Sequence, residues 1–169
     1  MSPGHHILVR GTNWIGDSVM SLAALRELRR LYPGHHLSLC VTSWVSGLFE
    51  GQGIVDEIIP FHPSGSGWRD LMHLRGRLRQ AETAILFQNA FRAAVETLVS
   101  AIPERIGYAT DGRSLLLTRR ARPRIKELGR HQMYYYLDLL YQTGLSPHDY
   151  LQDPDFEPDI HLVASPKEI

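Results

Sequence analysis

The chain has 169 residues, 43% hydrophobic and 21% charged, which excludes a disordered or fibrous protein and fits one globular domain. No apolar run approaches the ~20 residues that span a bilayer. The opening Met1-Ser2-Pro3-Gly4-His5-His6 lacks the basic and apolar regions of a signal peptide, and a lone Cys40 makes no internal disulfide. A cytosolic domain is therefore expected. The net charge of zero conceals an asymmetry: residues 1–68 sum to −1, residues 69–130 to +7 and residues 131–169 to −6. Sixteen Arg against two Lys favour bidentate recognition of carboxylate or phosphate. A GC-rich coding sequence also enriches Arg, but it would not gather the cations in the middle third.

Strands alternate with helices along the chain. Ile7-Leu8-Val9 reads as a buried strand ending at Gly11. Residues 15–31 carry apolar side chains at three- and four-residue steps, a helix stopped by Pro33-Gly34. Residues 37–41 and 55–61 read as strands, 68–81 as a basic helix, 83–88 as a strand, 91–101 as a helix and 105–108 as a fifth strand. A last helix covers 132–144, with Gly144 at its end. This alternation predicts an α/β fold, a Rossmann-like doubly wound parallel sheet with right-handed crossovers. No internal repeats are read. The 63–67 segment is a Ser-Gly loop, and the acidic Pro-rich stretch from Asp153 to Pro158 resembles a linker. The boundaries expected are a domain over residues 1–150 and the start of an interdomain linker over 151–169.

In open α/β sheets the ligand sits at the carboxyl ends of the strands, so the first loop matters most. It reads Arg10-Gly11-Thr12-Asn13-Trp14-Ile15-Gly16-Asp17. The spacing is not G-x-G-x-x-G, and no Gly-Lys-Ser/Thr follows, which argues against dinucleotide and Walker A sites. Thr12 or Asn13 suits a helix N-cap. Asp17 in the first helical turn is either a partner of the helix dipole or a general base facing the cleft. Gly11 and Gly16 beside it would let a substrate approach the backbone. Cys40 belongs in a core strand. The nine His are scattered without ligand spacing, so no metal site is expected.

This loop resembles the opening of the lipopolysaccharide heptosyltransferases of glycosyltransferase family 9, the type II enzymes above all. Asn89-Ala90-Phe91-Arg92-Ala93-Ala94 is similar to the family's Asn-Ser-Phe-Arg segment, with Ala90 where Ser is usual. Ile102-Pro103-Glu104-Arg105-Ile106-Gly107-Tyr108, then Asp111-Gly112-Arg113-Ser114-Leu115-Leu116-Leu117-Thr118, then His131 with Tyr135-Tyr136-Leu137-Asp138, follow in the family's order.

The resemblance implies the N-terminal half of a GT-B glycosyltransferase, the acceptor-binding domain, with the donor-binding C-terminal domain absent. It implies an inverting, metal-independent transfer of heptose from ADP-heptose to the inner core of lipopolysaccharide. Asp17 matches the catalytic base. Thr12, Asn13, Trp14, Gly16, Arg69, Arg75, Asn89, Arg92, Arg113 and His131 are the expected acceptor-binding residues. No cofactor is expected, and ADP-heptose would bind mainly the missing domain. The expected partners are the Kdo/heptose-lipid A acceptor, the donor domain or a second copy, and the inner face of the inner membrane, with no nucleic acid. The alternative is a non-catalytic domain that binds anionic glycolipid or self-associates. The basic run Arg119, Arg120, Arg122, Arg124 and Lys126 reads as a solvated loop or a membrane-steering patch.

Overall fold

Side chains along each strand point alternately into two apolar layers, and these layers place the helices. The computed structural model describes residues 4–65 and 67–163. The first three residues of the opening, Ser66 of the Ser-Gly loop and the last six residues of the tail lie outside the described residues. The strands are β1 (His6–Arg10), β2 (His36–Thr42), β3 (Glu57–Phe61), β4 (Thr83–Leu86), β5 (Glu104–Tyr108) and β6 (Arg119–Ala121). They form one sheet in the order β3-β2-β1-β4-β5-β6, every pair parallel. The strand order reverses between β1 and β4, the switch point of a doubly wound fold.

Ile7, Val9, Leu37, Leu39, Ile85 and Ile106 pack on the face covered by α1 (Ile15–Leu31) and α5 (Tyr134–Gln142). Leu8, Cys40, Ile59, Ala84 and Leu86 pack on the face covered by α3 (Gly67–Leu78) and α4 (Phe91–Val99). A short helix α2 (Ser43–Ser46) follows β2. Both faces are buried, so the strands read as continuous apolar runs rather than alternating ones. Cys40 is buried in the second layer, and burial pushes its thiol up to about 11.

The long first helix spans the residues that its periodicity predicts. Other boundaries shift for local reasons. Helix α4 stops before residue 101, because Ala101 adopts a left-handed φ of 58° that a continuing helix excludes. Helix α5 starts at Tyr134, two residues later than expected, and Gly144 follows it at φ 71°. Strand β6 was not read from the sequence. It is a three-residue edge strand in which only Ala121 is buried, so it carries no apolar signature.

The acidic tail is not a free linker over its described part. Phe156 and Ile160 pack against the larger core, and the Tyr134 hydroxyl donates to the Phe156 carbonyl at 2.9 Å. Arg26 pairs with Asp159 at 3.4 Å, and Gln52 exchanges two hydrogen bonds with the backbone of Val163.

Candidate active site at the sheet rim

The loops after β1 and β4 diverge at the switch point and open a groove of about 250 Å³. Trp14, not Thr12 or Asn13, is the N-cap of α1, in extended backbone without a side-chain cap. Thr12 is buried, and its hydroxyl lies 2.7 Å from that of Ser18, which fixes the loop from beneath. Gly11 is required for a different reason than substrate approach. A Cβ there would sit 2.6 Å from Val41 Cγ1 and 3.0 Å from Leu39 Cδ1, so the loop crosses β2 only because that carbon is missing. Gly16 does face open space, exposed beside the groove.

This loop places Asp17 in the first turn of α1, half-buried and lining the groove. Its carboxylate has no hydrogen-bond or ion-pair partner among the described residues. Opposite it stand Tyr135 and Tyr136 from α5 and Gln88 and Asn89 from the loop after β4. Burial first, then the charge of Asp17, pushes the Tyr136 phenol above its ordinary value, so it remains an O–H. Asn89 is held on both sides: its amide donates to the Tyr135 hydroxyl at 2.6 Å, and Arg113 Nη2 donates to its oxygen at 2.9 Å.

Arg113 is fully buried, and this corrects its expected place. Besides Asn89, it donates to the carbonyls of Tyr108 and Gln88, so it braces the rim instead of facing the groove. Burial draws its pKa down.

A second pocket, of about 240 Å³, lies on the α3/α4 side and shares Asn13, Gln88 and Ala90 with the first. Its floor is a run of alternating charges. Arg10 Nε donates to Glu96 Oε2 at 2.8 Å, with both side chains buried. Arg92 reaches the other oxygen of Glu96 at 3.0 Å and Asp70 at 3.2 Å. The Ser64 hydroxyl and amide donate to Asp70. The Ser64 hydroxyl first, with Arg92 behind it, holds the Asp70 carboxyl below its usual range. The Arg10 guanidinium also lies 4.5 Å from the Phe61 ring centroid.

Two acceptors on the shared wall are left over. Asn13 Oδ1 and Gln88 Oε1 are buried and lack a partner among the described residues. A buried acceptor without a donor costs about 1–3 kcal/mol, so this wall suits a ligand rich in hydroxyl groups.

The other expected residues divide. Asn13, Trp14, Asn89 and Arg92 line one or both pockets. Arg69 and Arg75 are exposed on α3 and line neither. His131 is exposed ahead of α5, accepting the Met133 amide at Nδ1, and its neighbour Gln132 reaches the groove in its place. In the basic run, Arg119 pairs with Glu104 and Arg124 with Asp138 and Asp149, so these two tie the fold together while Arg120, Arg122 and Lys126 are exposed. Gln88, Tyr135, Arg10 and Glu96 were missed as site residues. Gln88 was within reach, because the strand-end rule that singles out Asn89 applies equally to its neighbour. The scatter of His in sequence is also partly undone: His6, His36 and Glu57 meet at the opposite end of the sheet.

The six-stranded parallel sheet with its helices is the Rossmann-like fold of the GT-B heptosyltransferases. The chain is 29% identical over 144 residues to lipopolysaccharide heptosyltransferase 2 of Escherichia coli K12, and likewise to that of Salmonella typhimurium LT2. Each match covers 82% of this chain but 41% of the relative, so the chain spans less than half the length of the curated relatives it matches. The solved E. coli ADP-heptose lps heptosyltransferase II superposes with a TM-score of 0.73 at 26% identity, covering 95% of this chain and 47% of that one. A family 9 glycosyltransferase from Veillonella parvula, at 18% identity, shares the fold with a TM-score of 0.75, over 86% of this chain and 43% of that one. No family model matches the chain. The resemblance read from the motifs is borne out: the chain is similar to lipopolysaccharide heptosyltransferases over part of their length.

Proposed function

We propose that this chain is the acceptor-binding half of an inverting, metal-independent heptosyltransferase that moves heptose from ADP-heptose to the inner core of lipopolysaccharide. The observation that carries this reading is Asp17, a carboxylate unpaired among the described residues, at the switch-point rim of a fold shared with heptosyltransferases. Inversion requires an in-line displacement, with a base beside the attacking hydroxyl and the leaving group opposite. Asp17 takes the proton from the acceptor hydroxyl as its oxygen bonds to the anomeric carbon, and ADP departs with the bonding electrons. Asn13 and Gln88 accept hydrogen bonds from further hydroxyls of the acceptor, which aims the reacting one. The departing diphosphate is neutralised by groups outside this chain, in the donor-binding half. Residues 1–150 then form the acceptor domain, and the segment from 151 leads toward the donor domain.

The test is transfer by a two-domain protein made of this chain and the donor half of a relative. Asp17→Asn is expected to lower kcat by about 10²–10⁴-fold, the usual worth of a general base. Unchanged turnover removes Asp17 from the base role.

A reading without chemistry, in which the chain alone captures anionic glycolipid at a membrane surface, is favoured by the exposed Arg69 and Arg75. Neither has an ion-pair partner among the described residues. Titration of the chain with inner-core oligosaccharide at low and high salt tests it, and salt-insensitive binding would assign the contact to the groove and not to these cations. No helix of the described residues is long and apolar enough to cross a membrane.

A further inference from the structure

We propose that His6, His36 and Glu57 form a binding site for a zinc-class divalent metal ion that ties together the amino-terminal ends of three adjacent strands. The three are the first residues of β1, β2 and β3. Parallel register sets His6 opposite His36, and Glu57 opposite Ser38, two residues further along β2. Side chains two apart share a sheet face. His6 therefore stands on the face of Leu8, His36 on that of Cys40 and Glu57 on that of Ile59, which is in each case the α3/α4 face. One ligand atom from each lies within 4.8 Å of the other two, and His36 Nε2 is 3.7 Å from Glu57 Oε2.

Two imidazoles and a carboxylate are a zinc donor set that leaves a fourth tetrahedral position for water. Metal–ligand bonds of about 2.0–2.2 Å place tetrahedral donor atoms roughly 3.3 Å apart, so rotamer adjustments of the exposed His36 and Glu57 suffice to close the set. His6 is the more anchored member. Its Nε2 lies 2.8 Å from the Ser38 hydroxyl, and its ring packs edge-on to His36 with centroids 4.6 Å apart.

The neighbouring His5 does not compete. His5 already has both ring nitrogens engaged, with Glu82 at 3.0 Å and Thr83 at 2.9 Å. The string Pro-Gly-His-His occurs at residues 3–6 and again at 33–36, and the Gly4 amide donates to the Gly34 carbonyl at 3.2 Å. The same local sequence is thus laid side by side by the sheet, and this is why two histidines thirty residues apart end as neighbours. The site is about 13 Å along β1 from the rim groove. It therefore takes no part in the transfer chemistry.

The test is calorimetric titration of the full chain with Zn²⁺ in a non-coordinating buffer, alongside thermal melts. Saturable binding of one equivalent is expected, with Tm raised by roughly 5–10 °C at about a hundred times Kd. His36→Ala and Glu57→Gln, both at exposed positions that leave the fold intact, are each expected to weaken Zn²⁺ binding by about 100-fold, beyond which outer-shell changes rarely reach. His161→Ala, a control on an exposed histidine in the tail, is expected to change nothing. No saturable binding, or binding that survives His36→Ala, overturns the proposal.

Discussion

Two pockets lie side by side at the switch point, separated by Asn13, Gln88 and Ala90, and they handle charge in opposite ways. On the α3/α4 side, Arg10, Glu96, Arg92 and Asp70 cancel one another in a closed run of ion pairs. On the α1/α5 side, Asp17 stands without a counter-ion among the described residues. A buried charge is held in place by its partner, and removing the partner is what destabilises. A charge left unpartnered at a groove contributes little to folding and stays free to act on a ligand. The pocket on the α3/α4 side is thus a support, whereas the α1/α5 groove leaves a carboxylate open to a ligand, although the loops after β1 and β4 line both.

The sharpest break of this contrast is Glu96→Ala, which strands Arg10 in the core. It is expected to cost about 3–5 kcal/mol of stability in urea unfolding. A loss under 1 kcal/mol would show that the ion-pair run does not support the pocket. Gly11→Ala comes next: its new methyl presses on Val41 and Leu39, and overpacking of this kind costs about 1–3 kcal/mol. Asp17→Asn, by contrast, is expected to change stability by no more than about 1 kcal/mol, the worth of a carboxylate at a helix N-terminus. A larger loss would place Asp17 among the supports.

The mildest test is acid. The Asp70 carboxyl is held below its usual range, so its pairing stabilises the fold above the unfolded pKa of about 3.9, and that contribution disappears as pH falls through the depressed value. Urea midpoints measured between pH 5 and pH 2 are expected to fall less steeply for Asp70→Asn than for the parent chain. Parallel acid limbs would mean that other carboxylates carry the transition.

How much of this was legible depended on whether the signal was local. Helix α1 could be bounded to the residue because its apolar face repeats over seventeen positions and Pro33-Gly34 ends it. Strand β6 could not, because an edge strand of two arginines and an alanine carries neither periodicity nor apolar weight. Asp17 and Asn89 were legible through their positions just past strand ends. Arg113 was legible as a residue of interest but not in its direction, since a cation in a turn is ordinarily exposed. Here the carbonyls of Tyr108 and Gln88 and the amide of Asn89 compensate its burial.

By itself, then, the sequence determined the class of fold, the strand-end loops and the carboxylate in the first turn of α1, because hydrophobic periodicity and turn residues act within a few positions along the chain. Tertiary structure alone decided which charges cancel and which stay free: Arg10 meets Glu96 across 86 residues, while Asp17 meets no counter-ion among the described residues. It also decided that His6, His36 and Glu57 share one corner of the sheet. The physical reason is that Coulomb and hydrogen-bond forces depend on distance in space, and the register of parallel strands, joined by long crossovers, sets that distance.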